Sequence, residues 1–130
     1  MNRIKPVLAV AAIVLPCLVA NSARADVSIL DNDKNVDVDC AKDPKISLLG
    51  NHLTIHATGV CASLQVMGNE SSFTGSAAKV SIPGNHNTIT LIAVDDVSVT
   101  GNYNTVTVRK PLKRKTPNIS NTGNQNSVSQ

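Results

Sequence analysis

Gly84-Asn85-His86-Asn87-Thr88-Ile89 and Gly101-Asn102-Tyr103-Asn104-Thr105-Val106 are two copies of one unit. Three more copies flank them: Gly50-Asn51-His52-Leu53-Thr54-Ile55, Gly68-Asn69-Glu70-Ser71-Ser72-Phe73 and Gly123-Asn124-Gln125-Asn126-Ser127-Val128. Each follows a short alternating stretch, as in Ile46-Ser47-Leu48, Leu64-Gln65-Val66, Val80-Ser81-Ile82 and Val97-Ser98-Val99. A degenerate sixth copy leads from Val27-Ser28-Ile29 through Asp31-Asn32 to Asn35-Val36-Asp37-Val38. The Gly-Asn steps are 18, 16, 17 and 22 residues apart.

Alternation of apolar and polar residues is strand periodicity with one buried face. Gly supplies corner geometry that other residues resist, and the adjacent Asn tolerates left-handed backbone. Strand, corner and second strand make one turn of chain, which cannot bury its apolar face alone. Stacked copies can, each strand pairing with its equivalents above and below. The expected fold is therefore all-β: a single small β-solenoid of about six short coils. By alternation Asn87, Asn104 and Asn126 face inward and form an internal amide ladder, which avoids burying unpaired amides.

The ends and the composition agree with this. Arg3 and Lys5, the apolar run Val7 to Ala20 and the small residues of Ala23-Arg24-Ala25 read as a signal peptide cleaved after Ala25. Pro16 precedes Cys17, where a lipobox needs a small residue. Residues 1–25 are thus the expected signal and 26–130 the repeat domain, with a basic insertion at 109–117. The expected location is periplasmic or extracellular. Loss of Arg3, Lys5 and Arg24 leaves nine basic against nine acidic residues, so net charge gives no argument for nucleic acid binding. One Tyr, one Phe and no Trp suit a thin, aliphatic interior rather than an aromatic-rich globular core.

Thr58-Gly59-Val60-Cys61-Ala62-Ser63-Leu64-Gln65-Val66-Met67-Gly68-Asn69, followed by the Gly-Asn-x-Asn copies, resembles the bacterial secreted family catalogued as domain of unknown function 3060. The resemblance extends over most of residues 27 to 129. It implies a small secreted or lipid-anchored protein and carries no catalytic residue; Ser71 departs from its second Asn. The last copy, Thr122 to Gln130, is also similar to a curlin repeat of surface fibres.

Cys40 and Cys61 are 21 residues apart, about one coil, and stacking puts them on adjacent rungs about 4.8 Å apart, within disulfide reach. Asp31 to Asp39 imitates the start of a calcium loop but has Val36 where Gly belongs, and Lys42 stands where Glu should close it. It reads as an acidic outer face. His52, His56 and His86 are too far apart for one metal ion. Asp95 and Asp96 are strand neighbours and point to opposite faces. No cofactor, metal or catalytic grouping is expected, and the chain reads as a non-enzyme.

Two surface features remain. Arg109, Lys110, Lys113, Arg114 and Lys115 form an exposed basic loop, a candidate contact for an anionic envelope surface. Without aromatics for base stacking, it does not point to nucleic acid. Thr54, Thr74, Thr88, Thr90, Thr105 and Thr107 are expected to point outward as a flat hydroxyl strip, suited to a polysaccharide or to ice. The leading expectation is an exported structural or interaction protein, a rigid scaffold of the bacterial envelope whose partner is unknown. The alternatives are a curlin-like fibre subunit that self-associates through the solenoid edge, and a glycan- or ice-binding protein.

Overall fold

The computed structural model describes residues 26–42 and 45–130; the expected signal peptide, residues 1–25, lies outside the described residues. Among the described residues the alternating stretches form nine strands: β1 Val27–Ile29, β2 Asn35–Asp39, β3 Lys45–Leu48, β4 Thr54–Val66, β5 Ser72–Ile82, β6 Thr88–Val99, β7 Thr105–Val108, β8 Asn118–Asn121 and β9 Ser127–Ser129. Every pairing is parallel. Strands β4, β5 and β6 are long because each bends from one face of the solenoid onto the next. The result is a β-solenoid of six coils.

Face A stacks β1, β3, the ends of β4, β5 and β6, and β8. Face B stacks β2, the starts of β4, β5 and β6, then β7 and β9. Two of the inward columns between the faces are apolar through all six coils. One is Val27, Ile46, Leu64, Val80, Val97 and Ile119. The other is Val36, Ile55, Phe73, Ile89, Val106 and Val128. The four middle members of each are buried, and the end members are half-buried against them. Each fully buried side chain of this kind stabilises by roughly 1.5–3 kcal/mol, a gain available only to stacked coils.

The corners depart from expectation in one respect. The residue after the Asn is the left-handed one: Asp33, His52, Glu70, His86, Tyr103 and Gln125 all have φ between 53° and 57°. The corner glycines have no positive φ. They are required because a Cβ on Gly68, Gly84, Gly101 or Gly123 would strike the carbonyl oxygen of the corner glycine one coil below. The glycines thus permit close stacking. Asp31, at the equivalent place in coil 1, carries the Cβ that the others cannot.

Unequal repeat lengths are absorbed away from the corners. The β4–β5 offset falls from 18 at Ile55↔Phe73 to 16 at Val60↔Ser76, beside Gly59 with φ 74°. The last long step is narrower than the expected insertion at 109–117. Val94↔Pro111 keeps the 17-residue offset, and Asp96↔Asn118 has 22, so the five extra residues fall between Pro111 and Asn118. Arg109 and Lys110 still follow the coil: the Arg109 N–H donates to Leu91 at 2.9 Å, and the Val94 N–H donates to Lys110 at 3.2 Å. Backbone pairing outweighs the solvation of charge there, because the side chains reach water without leaving the coil path.

Candidate binding faces

Asn87 and Asn104 are buried, and Asn126 is half-buried in the last coil. Each amide clips the corner beneath it. The Asn87 Oδ1 accepts from the Ser71 N–H at 2.9 Å while its Nδ2 donates to the Gly68 carbonyl at 3.0 Å. Asn104 does the same to Asn87 and Gly84 at 2.9 Å each, and Asn126 to Asn104 and Gly101 at 2.8 Å each. The bonds therefore run mainly to backbone; one amide-to-amide bond, Asn104 Nδ2 to Asn126 Oδ1 at 3.2 Å, joins them. Ser71 takes the Leu53 N–H at 3.1 Å, as the asparagines take the N–H below them, but its hydroxyl donates to the Asn69 carbonyl of its own corner at 3.2 Å.

A second Asn column runs along the surface, and the repeat pattern alone did not reveal it. The backbone N–H of Asn69 donates to the Asn51 Oδ1 at 2.9 Å, that of Asn85 to Asn69 at 3.0 Å, and that of Asn102 to Asn85 at 2.9 Å. The Oδ1 of the first Asn thus accepts from the coil above, and that of the second from the coil below. A corner-forming Asn and a ladder-forming Asn look alike in sequence, so only the register separates them.

The hydroxyl strip lies on face B as two registered columns. One is Thr54, Ser72, Thr88, Thr105 and Ser127. The other is Asp37, His56, Thr74, Thr90, Thr107 and Ser129. Thr88 and Thr105 are exposed; Thr54, Thr74, Thr90 and Thr107 are half-buried. The strip is interrupted at its N-terminal end by His56 and Asp37.

Face A is different, because it holds a groove of about 390 Å³ across coils 3 to 6. One wall is Gln65, Ser81, Ser98 and Ser120; the other includes Ser63, Lys79, Asp96 and Asn118. Leu64, Val80 and Val97 lie between the walls as the floor, and the lining is mostly apolar. Its members share no motif, which is why the sequence does not announce it.

The basic loop borders this groove. Lys113, Arg114 and Lys115 are exposed on the five-residue insertion, and Arg109 and Lys110 are exposed on the bend before it. Asp95, buried at the bend, accepts the backbone N–H of Lys113 at 2.7 Å and of Arg114 at 3.1 Å. Those N–H groups, Lys113 first, hold its carboxyl below the usual carboxylate range against the opposing pull of burial. Asp96, on the other face of the strand, meets the Arg114 guanidinium at 3.5 Å and the Asn118 Nδ2 at 3.3 Å.

The left-handed corner residues form an outer ridge. His52 lies 2.7 Å from Glu70 and 3.7 Å from Asp33, all solvent-exposed, and His86 stacks on Tyr103 with ring centroids 4.8 Å apart. Cys40 and Cys61 are joined in a disulfide between coils 1 and 2, with Cα atoms 4.8 Å apart. That bond is compatible with an oxidising location.

A family model described as "Protein of unknown function (DUF3060)" matches residues 68–125. Those residues are a DUF3060 segment. The DUF3060 match runs from the coil 3 corner to the coil 6 corner, and so takes in Asn87, Asn104, the basic loop and the groove residues from Lys79 to Ser120, with Ser63, Gln65 and Asn126 outside it. No curated protein and no solved structure matches the chain.

Proposed function

We propose that this protein is an exported, non-catalytic scaffold of the bacterial envelope, whose face B meets an ordered, hydroxyl-bearing polysaccharide. One observation carries the reading: two columns of Thr and Ser, free of charge from coil 3 onward, repeat in register on rungs about 4.8 Å apart. Corner clips on both sides of each coil support rigidity, and a rigid surface loses little entropy on binding. The competing reading, a fibre subunit growing through the solenoid edge, meets an obstacle at Asp31. In a copy stacked end to end its Cβ would meet the Gly123 carbonyl, as a Cβ on Gly123 would meet that of Gly101.

The test is the double variant Thr88→Lys, Thr105→Lys in a co-sedimentation assay with insoluble cell-wall glycan. Both sites face solvent, so folding is retained. Wild type should sediment with the glycan and the variant should stay in the supernatant. Equal sedimentation of the two, or none by wild type, removes the reading; shaping of ice crystals by wild type alone would redirect it to ice.

A further inference from the structure

We infer that the face A groove is a binding site for a linear acidic polysaccharide, one bearing carboxylates along a hydroxyl-rich chain. The inference is independent of the face B reading, since it uses other residues on another face.

The shape comes first. The groove runs along the stacking axis and crosses four coils, so its length is three rungs, roughly 14 Å. An extended polymer fits such a trough better than a compact ligand. Its backbone hydrogen bonds are already used in the ladders, so a peptide strand could not add to it as it would to a sheet edge.

The chemistry narrows the class. Ser81, Ser98 and Ser120 stand one above another with Gln65 below them, offering neutral donors and acceptors at every rung. That column suits ring hydroxyls. The apolar floor suits the C–H faces of sugar rings. No aromatic side chain lines the groove, so stacked bases have no platform.

Charge then selects an acidic chain. Lys79 is exposed in the groove wall and, among the described residues, has no carboxylate within ion-pairing distance. Its neighbour on the next rung, Asp96, is engaged by Arg114 and Asn118. That ion pair also holds the basic loop against the rim. A carboxylate on the polymer would find Lys79 inside the groove and, at its rim, the basic loop that Arg114 ties to Asp96.

The experiment measures binding of the purified protein to alginate oligosaccharides, with dextran of equal length as the neutral control and phosphatidylglycerol vesicles as the competing anionic surface. Alginate should bind, weaken with rising salt, and bind at least tenfold more weakly to Lys79→Glu. Ser98→Phe, which fills the trough without changing charge, should abolish binding. Thr88→Lys with Thr105→Lys should leave it intact, which separates this site from face B. Undiminished alginate binding by Ser98→Phe would place the contact on the basic loop alone and overturn the inference. So would equal binding of dextran, no binding of alginate, or binding confined to the vesicles.

Discussion

The Asn104 side-chain amide donates to the Gly84 carbonyl at 2.9 Å, one coil below its own. Its Oδ1 takes the Asn87 N–H of the same lower corner, so one side chain closes a turn that has no hydrogen bond of its own across it. Asn104→Leu has nearly the right volume and should still destabilise, because it leaves that N–H and that carbonyl buried. Each unpaired group costs about 1–3 kcal/mol. Thermal melting should fall by several degrees or more for each kcal/mol lost. Asn102→Asp should also lower the melting temperature, less steeply, since it replaces the Nδ2 that donates to Asn85 with an oxygen at a half-buried site. An Asn104→Leu variant that melts with wild type would refute the clip.

Gly101 and Gln125 separate the two corner roles. Gly101→Ala adds a Cβ against the Gly84 carbonyl and should be strongly destabilising despite its small size. Gln125 sits at φ 53°, where a non-glycine residue costs roughly 1–2 kcal/mol. Gln125→Gly should therefore be neutral or stabilising. Denaturant midpoints in the reverse order would show that the glycines are there for φ.

Cys40 and Cys61 close a loop of about 20 residues, for which the chain-entropy model gives roughly 3 kcal/mol. The paired Cys→Ala variant should lose about that much stability by urea titration. Thiol labelling of the denatured, unreduced protein should leave both cysteines unmodified.

Asp95 makes the basic loop sensitive to acid. Its folded carboxyl titrates below the range of an unfolded aspartate. The stabilisation it gives is thus complete above about pH 4 and is lost as the pH falls through its lower, folded value. Asp95→Ala should lose stability at neutral pH, show a shallower acid dependence below pH 4, and speed tryptic cleavage at Lys113 to Lys115. Unchanged cleavage would mean that the loop is held by Arg114 to Asp96 instead.

Asp31 should keep copies from stacking end to end in register. Sedimentation velocity at rising concentration should give a constant coefficient, and thioflavin should not respond. Concentration-dependent fibres in wild type would show that copies meet out of the solenoid register.

The sequence carries the coil path plainly: Val-x-Val alternation and Gly-Asn spacing predict every face A and face B strand, and a separation of one coil pairs Cys40 with Cys61. Three things escape it. Asn102 and Asn104 are the same residue type, yet their Oδ1 atoms accept from opposite neighbours, which depends on register. The need for Gly101 comes from a carbonyl 17 residues earlier, which local turn chemistry cannot foresee. The groove arises from side-chain volumes on four different rungs, Gln65, Ser81, Ser98 and Ser120, none of which is conspicuous alone.

Because each clip reaches only to the neighbouring coil, one unit contains everything needed to seat the next. A tandem duplication of the 17 residues from Gly84 to Thr100 would bring its own glycine, its own amide and its own wall residues. Such an event would extend both long faces by one rung without disturbing the existing ones. In this architecture length is a heritable dial, and the groove and the hydroxyl columns grow by whole steps while the chemistry of each rung stays constant.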